Sequence, residues 1–113
     1  MVSGDFVLRP VGDVDLAVVE RLRSDWYAVI DERLPDRVIV DLHDVTFMDS
    51  QGLSMLAGVA KRQLSRGGSV AVCNASTQIA KLLIISGLNR SVQILWSGCP
   101  EDDAKDPSIA PIA

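Results

Sequence analysis

Residues 37–66 read RVIVDLHDVTFMDSQGLSMLAGVAKRQLSR. The run Val38-Ile39-Val40, followed by Leu42, is rich in β-branched residues and predicts a strand covered on both faces. Val45 to Met48 predicts a second, shorter strand, and a helix begins at Asp49-Ser50-Gln51-Gly52. The stretch therefore places the Ser50 hydroxyl at a strand-to-helix corner, where we look for function.

The sequence before this stretch predicts one edge strand and one helix. Pro10 lies in the apolar run Phe6–Val11 and cannot donate to a ladder, which suits the edge of a sheet. Gly12-Asp13-Val14-Asp15 is expected to turn the chain and to place Asp15 at the start of an amphipathic helix. Pro35 ends that helix, because the residue before a proline is pushed out of the helical region.

The sequence after the stretch predicts two further strands around one helix. Gly67-Gly68 ends the preceding helix, and the later elements are a strand at Ser69–Cys73, a helix capped by Ser76 or Thr77, and a strand at Val92–Trp96. The order predicts an α/β fold, with a mixed sheet of four to five strands and about three to four helices packed mainly on one face.

Composition predicts one small globular domain. The chain has 113 residues, of which 48% are hydrophobic and 23% charged, enough for a single core. We expect the domain to cover residues 1–97, and residues 98–113, with three prolines and clustered acids, to form a flexible tail. No signal peptide or spanning segment is visible, so we expect a cytoplasmic protein that does not enter a membrane.

The net charge of −4 disfavours nucleic acid as a partner. Lysines and arginines form no stripe that could displace counterions from phosphates. A protein partner is more compatible with this charge.

Cys73 and Cys99 allow only one disulfide bond. In a reducing compartment two independent thiols are the commoner outcome. Neither a CxxC spacing nor a histidine cluster is present, so the sequence predicts no metal and no cofactor. A disulfide bond between the two would attach the tail to the domain. Oxidation and reduction of these cysteines could then regulate partner binding.

Three interpretations of Ser50 remain open from the residues. The simplest is a helix N-cap, which satisfies free backbone amides and needs no further role. The second is a phosphorylation switch, because a phosphate beside Asp49 and near Asp44 would change surface charge without unfolding the helix. A catalytic serine is disfavoured, since His43 is the only histidine and no GxSxG elbow occurs. No P-loop motif occurs either, so we do not expect an enzyme.

Several of these segments resemble one family. Val38–Leu42 followed by Val45–Leu53 resembles the signature of the STAS domain of bacterial anti-anti-sigma factors, in which an apolar strand ends in Asp-Leu and Asp-Ser precedes a small polar residue and Gly-Leu. Gly12-Asp13-Val14-Asp15 resembles the family's Gly-Glu-Leu-Asp, and Ser86-Gly87-Leu88 its late Ser-Gly-Leu. Gln51 departs from the pattern, because many members have a second Ser or Thr there.

The resemblance implies a partner-switching protein. In the family, the unphosphorylated form binds a kinase-type anti-sigma factor and thereby releases a sigma factor; the kinase ends this by phosphorylating the serine that matches Ser50. The implied partner is a GHKL-type serine kinase, with a PP2C-type phosphatase as a further candidate, and we expect a monomer or weak dimer. The expected partner-binding residues are Asp15, Asp49, Ser50, Gln51, Gly52 and Met55.

The alternative within the family is a STAS subunit without catalysis, in a stress-signalling scaffold or a lipid-transport complex. In that case the Ser50 corner docks a partner without being phosphorylated by a sigma-factor kinase. The single-domain length and the intact Asp-Ser pair favour the first interpretation.

Overall fold

The computed structural model describes residues 4–99. Strands and helices alternate along the chain in nearly the predicted order. The elements are β1 (Asp5–Leu8), β2 (Gly12–Val14), α1 (Leu16–Arg33), β3 (Arg37–Asp41), β4 (Val45–Met48), α2 (Ser50–Ser65), β5 (Ser69–Cys73), α3 (Thr77–Ile85), a 3₁₀ turn (Leu88–Arg90) and β6 (Gln93–Leu95). Of the expected tail, residues 100–113 lie outside the described part of the chain.

The main sheet has four strands in the order β1-β3-β5-β6. The predicted edge position of the first strand is confirmed. Neighbouring strands pair in parallel at each described ladder, rather than in the expected mixture of directions. The strands run parallel because a helix follows each of β2, β4 and β5. Each helix returns the chain to the same end of the sheet before the next strand begins.

A separate pair of strands, β2 and β4, precedes the Asp49-Ser50 corner. The expectation of a simple turn at Gly12–Val14 was wrong, because these residues pair in parallel with β4. Only three residues take part, and the Gly12 N–H donates to the Asp44 carbonyl at 2.9 Å. A strand this short, with a glycine and an aspartate, carries no periodic signal that sequence could reveal.

The core lies mostly between the sheet and the helices. Trp26 of α1 and Leu56 of α2 are buried there in one cluster with Phe6 of β1. The opposite face of the sheet carries a smaller buried cluster, which consists of Val7, Ile39, Ala71 and Cys73. Among residues 4–99, no helix is long and apolar enough to cross a membrane.

Helix ends follow the local chemistry of the sequence. The Asp15 carboxylate accepts from the Ala17 N–H at 3.0 Å, which confirms its predicted place at the start of α1. Ser76 caps α3 by accepting from the Ile79 N–H at 3.2 Å. At the end of α1, Leu34 adopts the left-handed conformation, with φ of 51°, immediately before Pro35.

Candidate functional site

Two helix N-termini lie side by side at the edge of the β2–β4 pair. Val14 pairs with Met48, and each strand is followed at once by an aspartate that caps the next helix. The Asp49 N–H also donates to the Val14 carbonyl at 3.3 Å. The pairing therefore brings Asp15 and Asp49, which lie far apart in sequence, to one edge of the molecule.

Asp49, and not Ser50, is the N-cap of α2. The Asp49 carboxylate accepts from the backbone N–H groups of Gln51 and Gly52 at 2.9 and 3.2 Å. The simple capping interpretation of Ser50 was thus wrong. Aspartate is an equally good capping residue, and its position one residue earlier leaves Ser50 as the first residue of the helix.

The Ser50 side chain is exposed, and within residues 4–99 its hydroxyl makes no hydrogen bond. His43 offers no route to a nucleophilic serine. Its Nδ1 lies 3.0 Å from Asp44 Oδ1, and no hydrogen bond joins its ring to Ser50. The geometry provides a free hydroxyl at the surface beside an acidic residue, and within residues 4–99 no histidine is hydrogen-bonded to it.

Gly52 and Met55 do not belong to the exposed surface on which we expected them. Both are buried, and Met55 has no exposed area. An ideal Cβ at Gly52 would lie 2.6 Å from Met48 Cγ and 2.9 Å from the Val14 carbonyl oxygen. Gly52 therefore allows the first turn of α2 to pack against β2, and Met55 fills the core beneath it. Asp15, Asp49, Ser50 and Gln51 remain at least partly exposed.

An open groove of about 400 Å³ begins at Ser50 and runs along α2. Its second wall is the corner Ser86-Gly87-Leu88, where Gly87 has a φ of +81° that favours glycine. The residues that line the groove are Ser50, Leu53, Ser54, Ala57, Ser86, Gly87, Leu88 and Ser91. This wall was not among the expected site residues, although Ser86-Gly87-Leu88 was among the segments that resembled the family.

Large apolar side chains are exposed next to this site. Phe47, on the strand that leads to Asp49, is 48% exposed, and Ile85, at the end of α3 beside the groove, is 81% exposed. Apolar area next to a polar rim is typical of a protein-binding surface.

The carboxyl ends of β1, β3 and β5 are held together by a buried aspartate. Asp41 Oδ2 accepts from Arg9 Nε at 3.0 Å, and its Oδ1 accepts from the His43 N–H and the Asn74 amide at 3.0 and 3.1 Å. Burial raises the pKa of Asp41, but these three donors lower it further than burial raises it, so the pKa lies below its ordinary value. Asp41 therefore links the segments that follow β1, β3 and β5.

Cys73 and Cys99 are joined by a disulfide bond, whereas we expected two independent thiols. Their separation in sequence did not indicate their proximity, which arises because the chain turns back after β6, the neighbour of β5. Together with Asp41 they bring possible ligand atoms within 4.8 Å of one another. However, the sulfurs are bonded to each other and the Asp41 oxygens accept from Arg9, His43 and Asn74, so this cluster offers no metal site.

The comparisons with known proteins identify the family. The model of the STAS domain family matches residues 2–97, and the chain belongs to that family. It is 30% identical to the anti-sigma F factor antagonist of Paenibacillus polymyxa over 91 residues, which cover 80% of this chain and 78% of that protein. It is 29% identical to the anti-sigma-B factor antagonist of Bacillus subtilis over 92 residues, or 81% and 83% of the two chains.

Solved structures share the fold. The anti-sigma factor antagonist SpoIIAA in its unphosphorylated form matches with a TM-score of 0.63 and 24% identity, over 75% of this chain and 78% of that one. The phosphorylated form of SpoIIAA from Bacillus also gives a TM-score of 0.63 at 24% identity, over 80% and 81% of the two chains.

Proposed function

We propose that this protein is an anti-sigma factor antagonist that is switched by phosphorylation of Ser50. In its unphosphorylated form it binds an anti-sigma factor of the GHKL serine-kinase type, and this binding releases the sigma factor. Phosphorylation by the same kinase ends the interaction, and a PP2C-type phosphatase restores it. The relatives that carry the name anti-sigma factor antagonist support the class of partner.

The observation that carries the proposal is the state of the Ser50 hydroxyl. It is exposed and makes no hydrogen bond to the described residues, so a kinase can reach it without breaking an internal contact. Asp49 performs the capping instead, so the cap does not use the Ser50 hydroxyl. Phosphorylation of the Ser50 hydroxyl would therefore break no hydrogen bond within the described part of the fold.

A phosphate at Ser50 would act mainly on the surface. Asp49 already occupies the Gln51 and Gly52 amides, which a phosphate at a helix N-terminus would otherwise bind. The added charge of about −1.5 to −2 would therefore remain directed outward, next to the carboxylates of Asp49 and Asp15. In an interface with a complementary partner, such a charge favours dissociation.

The kinase reaction tests the proposal. Each GHKL-type anti-sigma kinase encoded in the source organism is incubated with the protein and ATP, and the intact mass is measured. We expect one kinase to add a single phosphate to the wild type and none to Ser50→Ala. Ser54→Ala is the matched control, because Ser54 is exposed one turn later on α2 and lines the same groove.

Binding to that kinase completes the test. We expect Ser50→Asp to bind at least about tenfold more weakly than the wild type, since a like charge at an interface costs affinity. A phosphate gain on Ser50→Ala equal to that of the wild type, or no gain with any kinase, would refute the switch. The second result would favour a STAS subunit that docks its partner without phosphorylation.

A further inference from the structure

A second open groove, of about 380 Å³, lies between α1 and α2. The residues that line it are Tyr27 of α1 and Gly58, Lys61, Arg62 and Ser65 of α2. None of them lines the groove at Ser50. Lys61 follows Ser50 by 11 residues, and a helix rises by 1.5 Å per residue, so about 16 Å separate the two along α2.

Gly58 leaves room in this groove for the Tyr27 hydroxyl. A Cβ at Gly58 would collide with that hydroxyl oxygen. Tyr27 is partly buried, and within residues 4–99 its hydroxyl makes no hydrogen bond. A tyrosine hydroxyl that is withdrawn from water usually has a hydrogen-bond partner. The Tyr27 hydroxyl is therefore available as a donor to a molecule that enters the groove.

The Tyr27 ring positions the Arg62 side chain. The guanidinium carbon of Arg62 lies 4.1 Å from the centroid of the ring. Arg62 Nη1 lies 3.6 Å from Asp31 Oδ2, which is too long for a hydrogen bond. A guanidinium that stacks on an aromatic ring keeps the N–H groups in its plane available for acceptors. Arg62 thus offers a planar set of donors that is already oriented.

Lys61 adds a second cation to the groove. Its side chain is exposed and forms no ion pair in the described part of the chain. The Arg9 guanidinium, by contrast, is bonded to Asp41. The net charge of the protein is −4, so two unpaired cations beside the Tyr27 hydroxyl form a local exception. Such a site favours an anionic occupant.

We propose that this groove binds a short acidic segment of a protein partner. Carboxylates of the segment accept from Lys61, from Arg62 and from the Tyr27 hydroxyl. A carboxylate matches the fork of a guanidinium and accepts two parallel hydrogen bonds from it. The proposal does not depend on the switch at Ser50, and variants of this groove should still be phosphorylated there.

The charges around the groove favour such a segment over nucleic acid. Asp31 lies beside Arg62, and Glu20, Asp25 and Glu32 are further exposed acidic residues of α1. A phosphodiester backbone requires a run of cations to displace its counterions, and these carboxylates would repel it. One or two side-chain carboxylates require no more than the two cations present.

Titration with a defined peptide tests the proposal. The probe is a blocked hexapeptide of glutamate, added to the isotope-labelled full chain, and NMR follows the amide signals of Gly58 and Ser65. We expect saturable shifts. Lys61→Gln and Arg62→Gln should each weaken binding about threefold, as is typical for the loss of an exposed ion pair. Lys81→Gln is the matched control, because Lys81 is an exposed lysine of α3 outside the groove.

Two conservative variants separate binding from structure. Tyr27→Phe removes a hydroxyl that makes no hydrogen bond among residues 4–99, so it should leave the thermal unfolding temperature unchanged while it weakens binding at least about twofold. Arg62→Lys keeps the charge but loses the planar fork, and we expect its affinity to lie between those of the wild type and Arg62→Gln.

Four results would overturn the proposal. The first is equal peptide affinity in the wild type, Lys61→Gln and Arg62→Gln, and the second is equal shifts with an uncharged hexapeptide of glutamine. Inorganic phosphate that binds as tightly as the peptide would show an adventitious ion only. Tighter binding of a single-stranded oligonucleotide would assign the groove to nucleic acid instead.

Discussion

Gly52 and Ser50 lie in the same turn of α2 but have different roles. Gly52 is fixed by packing, because a side chain there would collide with Met48 and with the Val14 carbonyl. Ser50, two residues earlier, is exposed, and its hydroxyl makes no hydrogen bond within residues 4–99. The short Asp-Ser-x-Gly sequence thus combines a cap, a free hydroxyl and a close contact.

The Gly52→Ala substitution should destabilise the protein. Overpacking costs about 1–3 kcal/mol, which we expect to exceed the gain of about 1 kcal/mol from replacing glycine by alanine in a helix. The measurement is urea unfolding followed by circular dichroism.

Gly58→Ala is the control on the same helix. Its added Cβ would meet the Tyr27 hydroxyl, which lies at the end of a side chain and can move. We therefore expect Gly58→Ala to be at least as stable as the wild type. If Gly52→Ala were the more stable of the two, the assigned packing of α2 on β2 would be incorrect.

At the scale of the element, the start of α2 depends on one carboxylate. Asp49 satisfies two amides of the first turn, and the Asp49 carbonyl accepts from the Leu53 N–H at 3.1 Å. This capping separates the stability of the helix from the chemistry of Ser50.

Asp49→Ala should therefore cost about 1 kcal/mol of unfolding free energy, as is typical for the loss of an N-cap side chain. Ser50→Ala should change it by less than about 0.5 kcal/mol, because an exposed serine without a hydrogen bond is removed. Asp49→Asn keeps an acceptor oxygen and should restore most of the loss. A larger cost for Ser50→Ala than for Asp49→Ala would mean that Ser50 is the cap after all.

At the scale of the whole molecule, Asp41 joins three strands of the sheet. It contacts Arg9 after β1, the His43 N–H after β3 and Asn74 after β5. A single carboxylate therefore links segments that are distant in sequence, and its protonation weakens contacts that follow three of the four strands.

We expect the stabilisation from Asp41 to depend on pH in the acid range. Its folded-state pKa lies below the ordinary value of 3.8, so folding favours the ionised form. The stabilisation is complete well above pH 3.8 and is lost as the pH falls through that value towards the folded-state pKa. Urea unfolding of the wild type and Asp41→Asn at several pH values between 2.5 and 6 measures this contribution, as about 1.4 kcal/mol per unit of pKa shift.

The difference in stability between wild type and Asp41→Asn should shrink as the pH decreases. Other acidic groups titrate in both proteins, so they cancel in this difference. A difference that stays constant over the same range would show that the Asp41 hydrogen bonds do not depend on its charge.

Much of this protein was determined by local sequence. Three helices, the ends of the first two just before Pro35 and Gly67, the cap Asp15 and a cap at Ser76 or Thr77 follow from periodicity and capping chemistry, which act over a few residues. The α/β order, the buried strand at Val38–Val40 and the resemblance to the STAS family were also available from the residues alone.

Only the tertiary structure established the features that depend on contacts between residues distant in sequence. The β2 strand exists because β4 pairs with it, Met55 is buried because α2 packs on the sheet, and Cys73 meets Cys99 because β6 lies beside β5. The N-cap of α2 is Asp49 and not Ser50. Either residue satisfies the local capping pattern, and only the path of the backbone selects one of them. Sequence determined that a serine stands at this corner, and the three-dimensional fold determined that its hydroxyl is free.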